Sequence, residues 1–342
     1  MENINNSCCV FVTYANRFHL LSRVVEEVLR QGVRKVVIID NGSVEESAAA
    51  ITGWARNNPS LIVHRFPTNQ GSAVGFKKGL EIASQSGCDF IWILDDDNLP
   101  ANGVLKRLHE DWSREITAIG KEDGLALLCL RKDREEFQRV LHKRTPDAIL
   151  PARNSFIGFH IREIILKLKE RIPSRHRQAI EMPLQNDPIP INAASYGGLF
   201  FHRKLLDRNG LPDDSFVLYI DDFDFTYRFT QSGGCILLVP DCVVEDIDQS
   251  FYLPTNKKLL YHSTLDTPKD VLAYYMVRNS VYFASRNLAT SKSIFLVNKF
   301  IFILFISTVA ILRGKLKRLK LIYGAISDGA RGHMGINPKF KL

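Results

Sequence analysis

Apolar residues recur in two rhythms along the first hundred positions, and their alternation outlines a fold. Cys8–Tyr14 (CCVFVTY), Lys35–Asp40 (KVVIID), Leu61–Phe66 (LIVHRF) and Phe90–Leu94 (FIWIL) are short apolar runs rich in β-branched and aromatic residues, as strands are. They lack regular polar alternation, which predicts a sheet covered on both faces. Between the first two, Leu21, Val24, Val25, Val28 and Leu29 fall at helical spacing, and Gly32 stands where a C-terminal cap belongs. Residues 45–57 and 73–86 supply the next two helices. The order β-α-β-α-β-α-β predicts a doubly wound α/β sheet.

Periodicity is weak from about Leu130 to Pro190. It returns at Ala194–His202 (ASYGGLFFH), in a helix over about Asp221–Gln231, in a strand Ile236–Val239, and in a helix from Pro268 to about Arg286. Ile294–Leu312 approaches membrane-spanning length, but Asn298 and Lys299 interrupt it. The uninterrupted part, Phe300–Leu312, is 13 residues, against the ~20 needed to cross the hydrocarbon. Arg313, Lys315, Lys317, Arg318 and Lys320 follow with no acid among them. The pair predicts a helix lying on an anionic membrane surface; the plainer alternative is a core helix with a solvated basic tail. The division expected is a main domain over 1–265, with a nucleotide half over about 1–130 and an acceptor half over about 190–250, and a helical, basic, membrane-associating segment over 266–342.

Charge adds little beyond that local run, since 45 basic against 37 acidic residues leave a net +8 over 342 residues. The six cysteines form no C-x-x-C pair and mostly sit in apolar runs. They fit buried reduced thiols rather than a disulfide framework or a zinc site. The start MENINNSCC lacks the charged-then-apolar build of a signal peptide. The expected location is cytoplasmic, peripheral on the inner face of the cell membrane.

In open α/β sheets ligands bind beyond the carboxyl ends of the strands. Those ends carry Thr13–Arg17, Asp40–Ser43, Asn69–Gly71 and Asp95–Asn98, all predicted to converge on one edge. Three adjacent carboxylates at 95–97 repel one another unless a cation joins them. In an extended segment Asp95 and Asp97 share a face while Asp96 points away. Oxygen ligands without nearby Cys or His suit Mg²⁺ or Mn²⁺ completed by substrate phosphates. The alternative is a solvated acidic turn or a set of helix caps. Asp40 opens D-N-G-S, which is equally a ribose-binding position and a plain turn. Gly71, Gly75 and Gly79 fall on one helical face and permit close packing or close substrate approach. A second acidic cluster opens the helix at Asp221-Asp222-Phe223-Asp224, where carboxylates favour the helix dipole. Asp224 and Arg228 are spaced to pair, which leaves Asp221 or Asp222 as a candidate general base, against a reading as simple capping.

Taken together, VTYANR at 12–17, DNGS at 40–43, NQGSAVGFKKG at 69–79, ILDDDNLP at 93–100, YGGLFF at 196–201, YIDDFDFTYRFTQSGG at 219–234, YYMVRNSVYF at 274–283 and AISDGARGHMG at 325–335 resemble the family 2 glycosyltransferases of GT-A fold. The likeness is to their rhamnosyl- and galactofuranosyltransferase-like branch and spans nearly the whole chain. It implies an inverting, metal-dependent transfer of a sugar from a nucleotide-diphosphate donor (UDP-galactofuranose, dTDP-rhamnose or a UDP-hexose) to a lipid-linked or cell-surface glycan. It further implies that Asp222 is the base, that Asp40 contacts the nucleobase or ribose, and that Arg17 and Asn69 line the nucleotide pocket. Asp95 and Asp97 would flank the metal–diphosphate, with Asp96 and Asp221 counted among the substrate-binding residues. Many relatives carry a metal-binding His after the last sheet strand. Here Val244-Glu245-Asp246 stands there, so either acid could replace it, with Asp246 taken as the candidate third ligand. The Q-x-x-R-W signature of processive synthases is missing. Two other readings are kept. A sugar-phosphate nucleotidyltransferase needs a Gly-rich basic loop after the first strand, where TYANR is a poor match. A nucleic-acid-binding protein needs exposed aromatics among its basic residues, whereas this charge follows an apolar helix.

Overall fold

The computed structural model describes residues 6–162, 187–248 and 264–342. Its first half repeats one unit: β1 (Ser7–Ala15), α1 (Phe18–Arg30), β2 (Lys35–Ser43), α2 (Glu45–Arg56), β3 (Leu61–Phe66), α3 (Ser72–Ser84) and β4 (Phe90–Ile93). β3, β2, β1 and β4 lie side by side and parallel. Cys8 and Val10 of β1 enter the core on one face of the sheet, Cys9 and Phe11 the core on the other. Residues 36–39 of β2 divide in the same way. Both faces are buried, which is why these strands read as continuous apolar runs.

The chain continues through β5 (Asn98–Pro100), α4 (Val104–Ile119), β6 (Leu125–Leu130) and α5 (Glu135–Lys143). It resumes with β7 (Ile189–Ile191), β8 (Leu199–His202), α6 (Lys204–Asn209), α7 (Asp221–Gln231) and β9 (Cys235–Asp246). The sheet order is β3-β2-β1-β4-β8-β6-β9-β5, with β7 also paired to β9. β8 runs antiparallel to β4 and β6, and β6 runs parallel to β9. The sheet is therefore mixed and doubly wound, and β1, β2, β3, β4, β6 and β9 all end at the same edge.

Asn69 and Gly71 sit just before α3, whose glycines have a packing reason. A Cβ on Gly75 would lie 2.7 Å from a Val12 methyl, and one on Gly79 2.5 Å from a Val10 methyl. Of the two uses expected for them, close helix–strand packing is the one observed. Gly32 (φ 100°) does turn the chain out of α1, one residue beyond the cap at Gln31.

Beyond the sheet come α8 (Asp270–Phe283), a wide turn closed by the Ala289 N–H on the Ala284 carbonyl, α9 (Lys292–Leu312) and α10 (Leu316–Arg331). Tyr275, Val281, Phe302, Ile306 and Ile322 belong to the same apolar cluster as β1 and β4. The boundary expected at 265/266 thus carries one continuous core across it. Asn298, read in the sequence as an interruption of an apolar run, docks the helix. Its amide donates to the Asn154 carbonyl at 2.8 Å and accepts from the Ile161 N–H at 3.1 Å. Phe295, Phe302, Ile306 and Ala310 face inward with it, while Leu296, Phe300, Leu304, Ile311 and Leu312 are exposed. α9 is 21 residues, long and apolar enough to cross a membrane, with 28% of its most apolar stretch buried against the protein.

Candidate active site

The shared strand edge gathers the polar residues that the apolar interiors of these strands exclude. Thr13 lies near the end of β1 and Arg17 just after it, Asp95–Asp97 follow β4, Arg131 and Arg134 follow β6, and Asp246 ends β9. Gly197 stands just before β8.

Asp96 is buried and accepts from the Thr13 hydroxyl at 2.6 Å and from Arg17 Nε and Nη2 at 2.8–3.0 Å. Residues 95–98 form a turn, with the Asn98 N–H donating to the Asp95 carbonyl at 3.0 Å, in place of the extended segment expected, and Asp96 lies inside that turn. Although counted with the substrate-binding residues from sequence, it has both oxygens engaged and fixes Arg17 instead. That guanidinium also reaches Asp97 at 2.8 Å and Asp248 at 2.6 Å. Asp95 is the open carboxylate of the three, with its side chain 39% exposed and Arg131 3.5 Å away.

Asp246, the candidate third metal ligand from sequence, is held by arginines. Arg131 Nη2 lies 2.7 Å from both of its oxygens, Arg134 Nη2 closes on one, and the Asn98 amide donates to the other at 2.7 Å. Its carboxylate is thus enclosed in an ion-pair cluster. Gly197 leaves room for that cluster. A Cβ there would sit 2.2 Å from Asn98 Oδ1 and 2.8 Å from both Arg131 Nη1 and Asp95 Oδ2.

At the ends of β2 and β3, Asp40 is buried, accepts the Ser43 N–H at 2.8 Å and lies 3.4 Å from Arg65 Nε. Asn69 shapes its loop: its side-chain oxygen accepts from the Gly71 N–H at 2.9 Å and from the Asn41 amide at 3.1 Å. Gly42 (φ +75°) allows the 68–69 backbone to pass, since a Cβ would lie 2.4 Å from the Asn69 nitrogen. At the head of α7, Asp221 is buried with Ser72 Oγ 3.3 Å away, while Asp222 is half-buried and accepts the Phe223 N–H at 2.8 Å. Asp224 pairs with Arg228 at 2.9 Å, as their spacing predicted.

The family model for glycosyl transferase family 2 matches residues 9–182, half of the chain. The chain belongs to glycosyl transferase family 2. A curated relative, galactofuranosyltransferase GlfT1 of Mycolicibacterium smegmatis, is 23% identical over 233 residues, 66% of either chain. This chain thus spans slightly less than two thirds of that relative. Two solved structures share the fold. One is GalNAc-T7 with UDP, GalNAc and Mn²⁺ (TM-score 0.55, 16% identity, 83% of this chain and 48% of that one). The other is the mannosyltransferase PcManGT of Pyrobaculum calidifontis with GDP-Man and Mn²⁺ (TM-score 0.51, 18% identity, 97% and 76%). The fold is GT-A, and residues 9–182 carry the glycosyl transferase family 2 domain.

In this family 2 chain the acidic edge carries more negative than positive charge. Five carboxylates (Asp95, Asp96, Asp97, Asp246, Asp248) face three guanidiniums (Arg17, Arg131, Arg134). Burial and then the charge of Asp95 push Asp97 up to about 6, and burial also raises Asp95. Burial raises Asp246 too, but Arg131 and Arg134 outweigh it, so its pKa is lowered. The strain of like charge is thus concentrated on Asp95 and Asp97, and a divalent cation would relieve it. Among the described residues no group of three or more His, Cys, Asp or Glu forms a closed metal cage. Two carboxylates with the remaining positions left to phosphate and water suit Mg²⁺ or Mn²⁺.

Asp222 is pushed up to about 7, by burial first and then by the charge of Asp95, against which Arg131 pulls down. Asp221 is raised further by burial and by Asp222. The sequence reading placed Thr13 and Asn98 on this edge without giving them a role, and missed Arg131, Arg134, Gly197 and Asp248. The one available signal was R-K-D-R directly after the apolar run LALLCL.

Proposed function

We propose that this enzyme is an inverting, metal-dependent glycosyltransferase that passes a sugar from a nucleotide-diphosphate donor to a glycan acceptor at an anionic membrane surface. The observation that carries the reading is the placement of Asp222 on the same edge as Asp95 and Asp97, close enough for the charge of Asp95 to raise it. A carboxyl group poised near neutral pH can take a proton in the transition state.

In this reading Asp95 and Asp97 would hold a divalent cation that offsets charge on the departing diphosphate. Arg17 and Asp96 keep Asp97 in place, and Arg131 does so for Asp95. Asp40 and the Asn69–Gly71 turn line the nucleotide side. The Asp222 carboxylate takes the proton of the acceptor hydroxyl as its oxygen bonds to the anomeric carbon. The bond from that carbon to the diphosphate oxygen breaks on the opposite face, and the configuration inverts.

The galactofuranosyltransferase relative favours a galactofuranosyl donor, and the two neighbours hold UDP with GalNAc and GDP-Man. A screen of UDP-galactofuranose, dTDP-rhamnose, UDP-hexoses and GDP-mannose, with Mn²⁺ or Mg²⁺ and with chelator, tests the reading. We expect nucleoside diphosphate release from one donor class, abolished by chelator. Pyrophosphate release from nucleoside triphosphate and sugar phosphate would instead support a nucleotidyltransferase.

Membrane association rests on the outer face of α9. Phe300, Leu304, Ile311 and Leu312 there are 59–81% exposed, and Lys317 and Lys320 lie beyond them on α10. Arg313 and Lys315 are held by Asp266 and Arg318 by Asp270, so part of the basic run is structural. Phe300→Glu/Leu304→Glu is expected to keep the enzyme folded and to abolish its flotation with phosphatidylglycerol vesicles. Flotation at the wild-type level would remove this face from the role.

A further inference from the structure

The loop that leads into α7 is held in an unfavourable shape. Val217 (φ 66°), Tyr219 (φ 69°) and Ile220 (φ 66°) are all left-handed, directly before Asp221 and Asp222. Two of the three are β-branched, for which that conformation is a true outlier. Such a backbone persists only where its surroundings impose it. Here the restraint comes from α8, in the C-terminal segment. The Asn279 amide nitrogen lies 2.9 Å from the Phe216 carbonyl, 2.7 Å from that of Leu218 and 3.0 Å from that of Tyr219. Arg278 Nη2 donates to the carbonyls of Ser215 at 3.1 Å and Phe216 at 2.9 Å, and Nη1 to that of Gly335. Arg278 Nε donates to Asn279 Oδ1 at 2.9 Å, which turns the amide nitrogen toward the loop.

Both residues are fully buried. Among the described residues Arg278 forms no ion pair. Its guanidinium lies over the rings of Tyr275, 4.7 Å from the centroid, and Tyr274, 5.7 Å away. A buried cation spent on carbonyl oxygens is costly to keep unless the loop it holds is needed. On its other side the loop meets the nucleotide-side turn. The Val217 carbonyl accepts the Ala73 N–H at 3.2 Å, and a Cβ on Gly71 would lie 2.0 Å from it.

We propose that Arg278 and Asn279 are positioning residues for sugar transfer, holding the 215–220 loop in the shape that sets Asp222 against the acidic edge. The proposal rests on the assignment of Asp222 as base. It makes the C-terminal segment a working part of the active site as well as a membrane-facing one. The Asn69–Gly71 turn is fixed independently by Asn41, which donates to the Gly71 carbonyl at 3.0 Å and accepts the Gln70 N–H at 2.9 Å. Loosening the loop should therefore spare nucleotide binding.

The test uses the full chain and Asn279→Ala, with two readouts. Hydrogen exchange should speed up over 215–224 on the order of tenfold while β1–β4 stay protected. With the donor found active in the screen, kcat should fall on the order of 100-fold, the scale for a misplaced catalytic group. The affinity for UDP with Mn²⁺ should change less than about threefold, a difference below 1 kcal/mol. Should Asn279→Ala not fold, Asn279→Ser, which keeps one donor, is read by the same measurements. Unchanged exchange over 215–224 overturns the proposal, as does a wild-type kcat in a variant that merely melts at lower temperature. The exchange result stands even if the wild type transfers no sugar, so failure of the positioning role and failure of the functional reading are told apart.

Discussion

Asp222→Asn is expected to lower kcat for sugar transfer by about 10²–10⁴-fold, the usual contribution of a positioned general base, while the affinity for the nucleotide donor stays near wild type. The amide keeps the shape of the carboxylate and its acceptor contact with the Phe223 N–H, so the change removes basicity with little structural cost. The pH profile follows from the same group. Only the ionised carboxylate accepts a proton, and burial with the charge of Asp95 holds Asp222 at about 7. Transfer should therefore rise as pH increases through about 7, with a limb missing from Asp222→Asn. Asp221 is a control with a different signature. It is buried beside Ser72 and pushed well above the usual carboxylate range. Asp221→Asn should leave both the basic group and that limb in place, because Asp221 stays protonated and uncharged while Asp222 titrates. A full loss in Asp221→Asn with activity retained in Asp222→Asn would reverse the two roles.

The second large effect is expected at the acidic edge. Asp95→Asn/Asp97→Asn should abolish metal-dependent nucleotide binding and, with it, transfer. The fold should survive, because the repulsion between Asp95 and Asp97 is removed and the guanidiniums that lose a partner keep another, Arg17 in Asp96 and Arg131 in Asp246. Asp96→Asn is expected to behave differently. Asp96 is buried and holds Arg17 in a two-pronged contact, and breaking such a pair typically costs about 3–5 kcal/mol of stability. A melting-temperature comparison of the two variants separates the ligand role from the structural one.

The β-α units up to β4 were legible from sequence because each is local: a run of apolar residues, a helical stripe, and a turn, all within thirty positions. Asp95 and Asp97 could be singled out because the carboxyl ends of strands are where such sheets bind ligands. Asp222 could be because the family resemblance falls on it and its neighbour Asp224 is spaced to pair with Arg228. What could not be read is tertiary. Arg131 looks like solvated charge after LALLCL, and only folding brings it to Asp246, 115 positions away. The arginine partners of Asp246 stayed hidden for that reason. β6 itself was hidden because its partners, β8 and β9, lie far along the chain. Asn298 looked like a defect in an apolar helix, since its partners Asn154 and Ile161 are more than a hundred residues earlier. The strained loop before α7 had no sequence signal at all. Val217, Tyr219 and Ile220 are residues that disfavour a positive φ, and only the contacts from Arg278 and Asn279 explain it.

Calorimetric titration of a nucleoside diphosphate, with Mn²⁺ and then with chelator, reads the acidic edge most directly. UDP and GDP are the probes, applied to wild type and to Asp95→Asn/Asp97→Asn. Wild type should bind one of them with Mn²⁺ at least about tenfold more tightly than with chelator, a difference of roughly 1.4 kcal/mol, and the double variant should show no difference. Equal affinity with and without the metal in wild type, or an undiminished metal effect in the double variant, would contradict the assignment of Asp95 and Asp97.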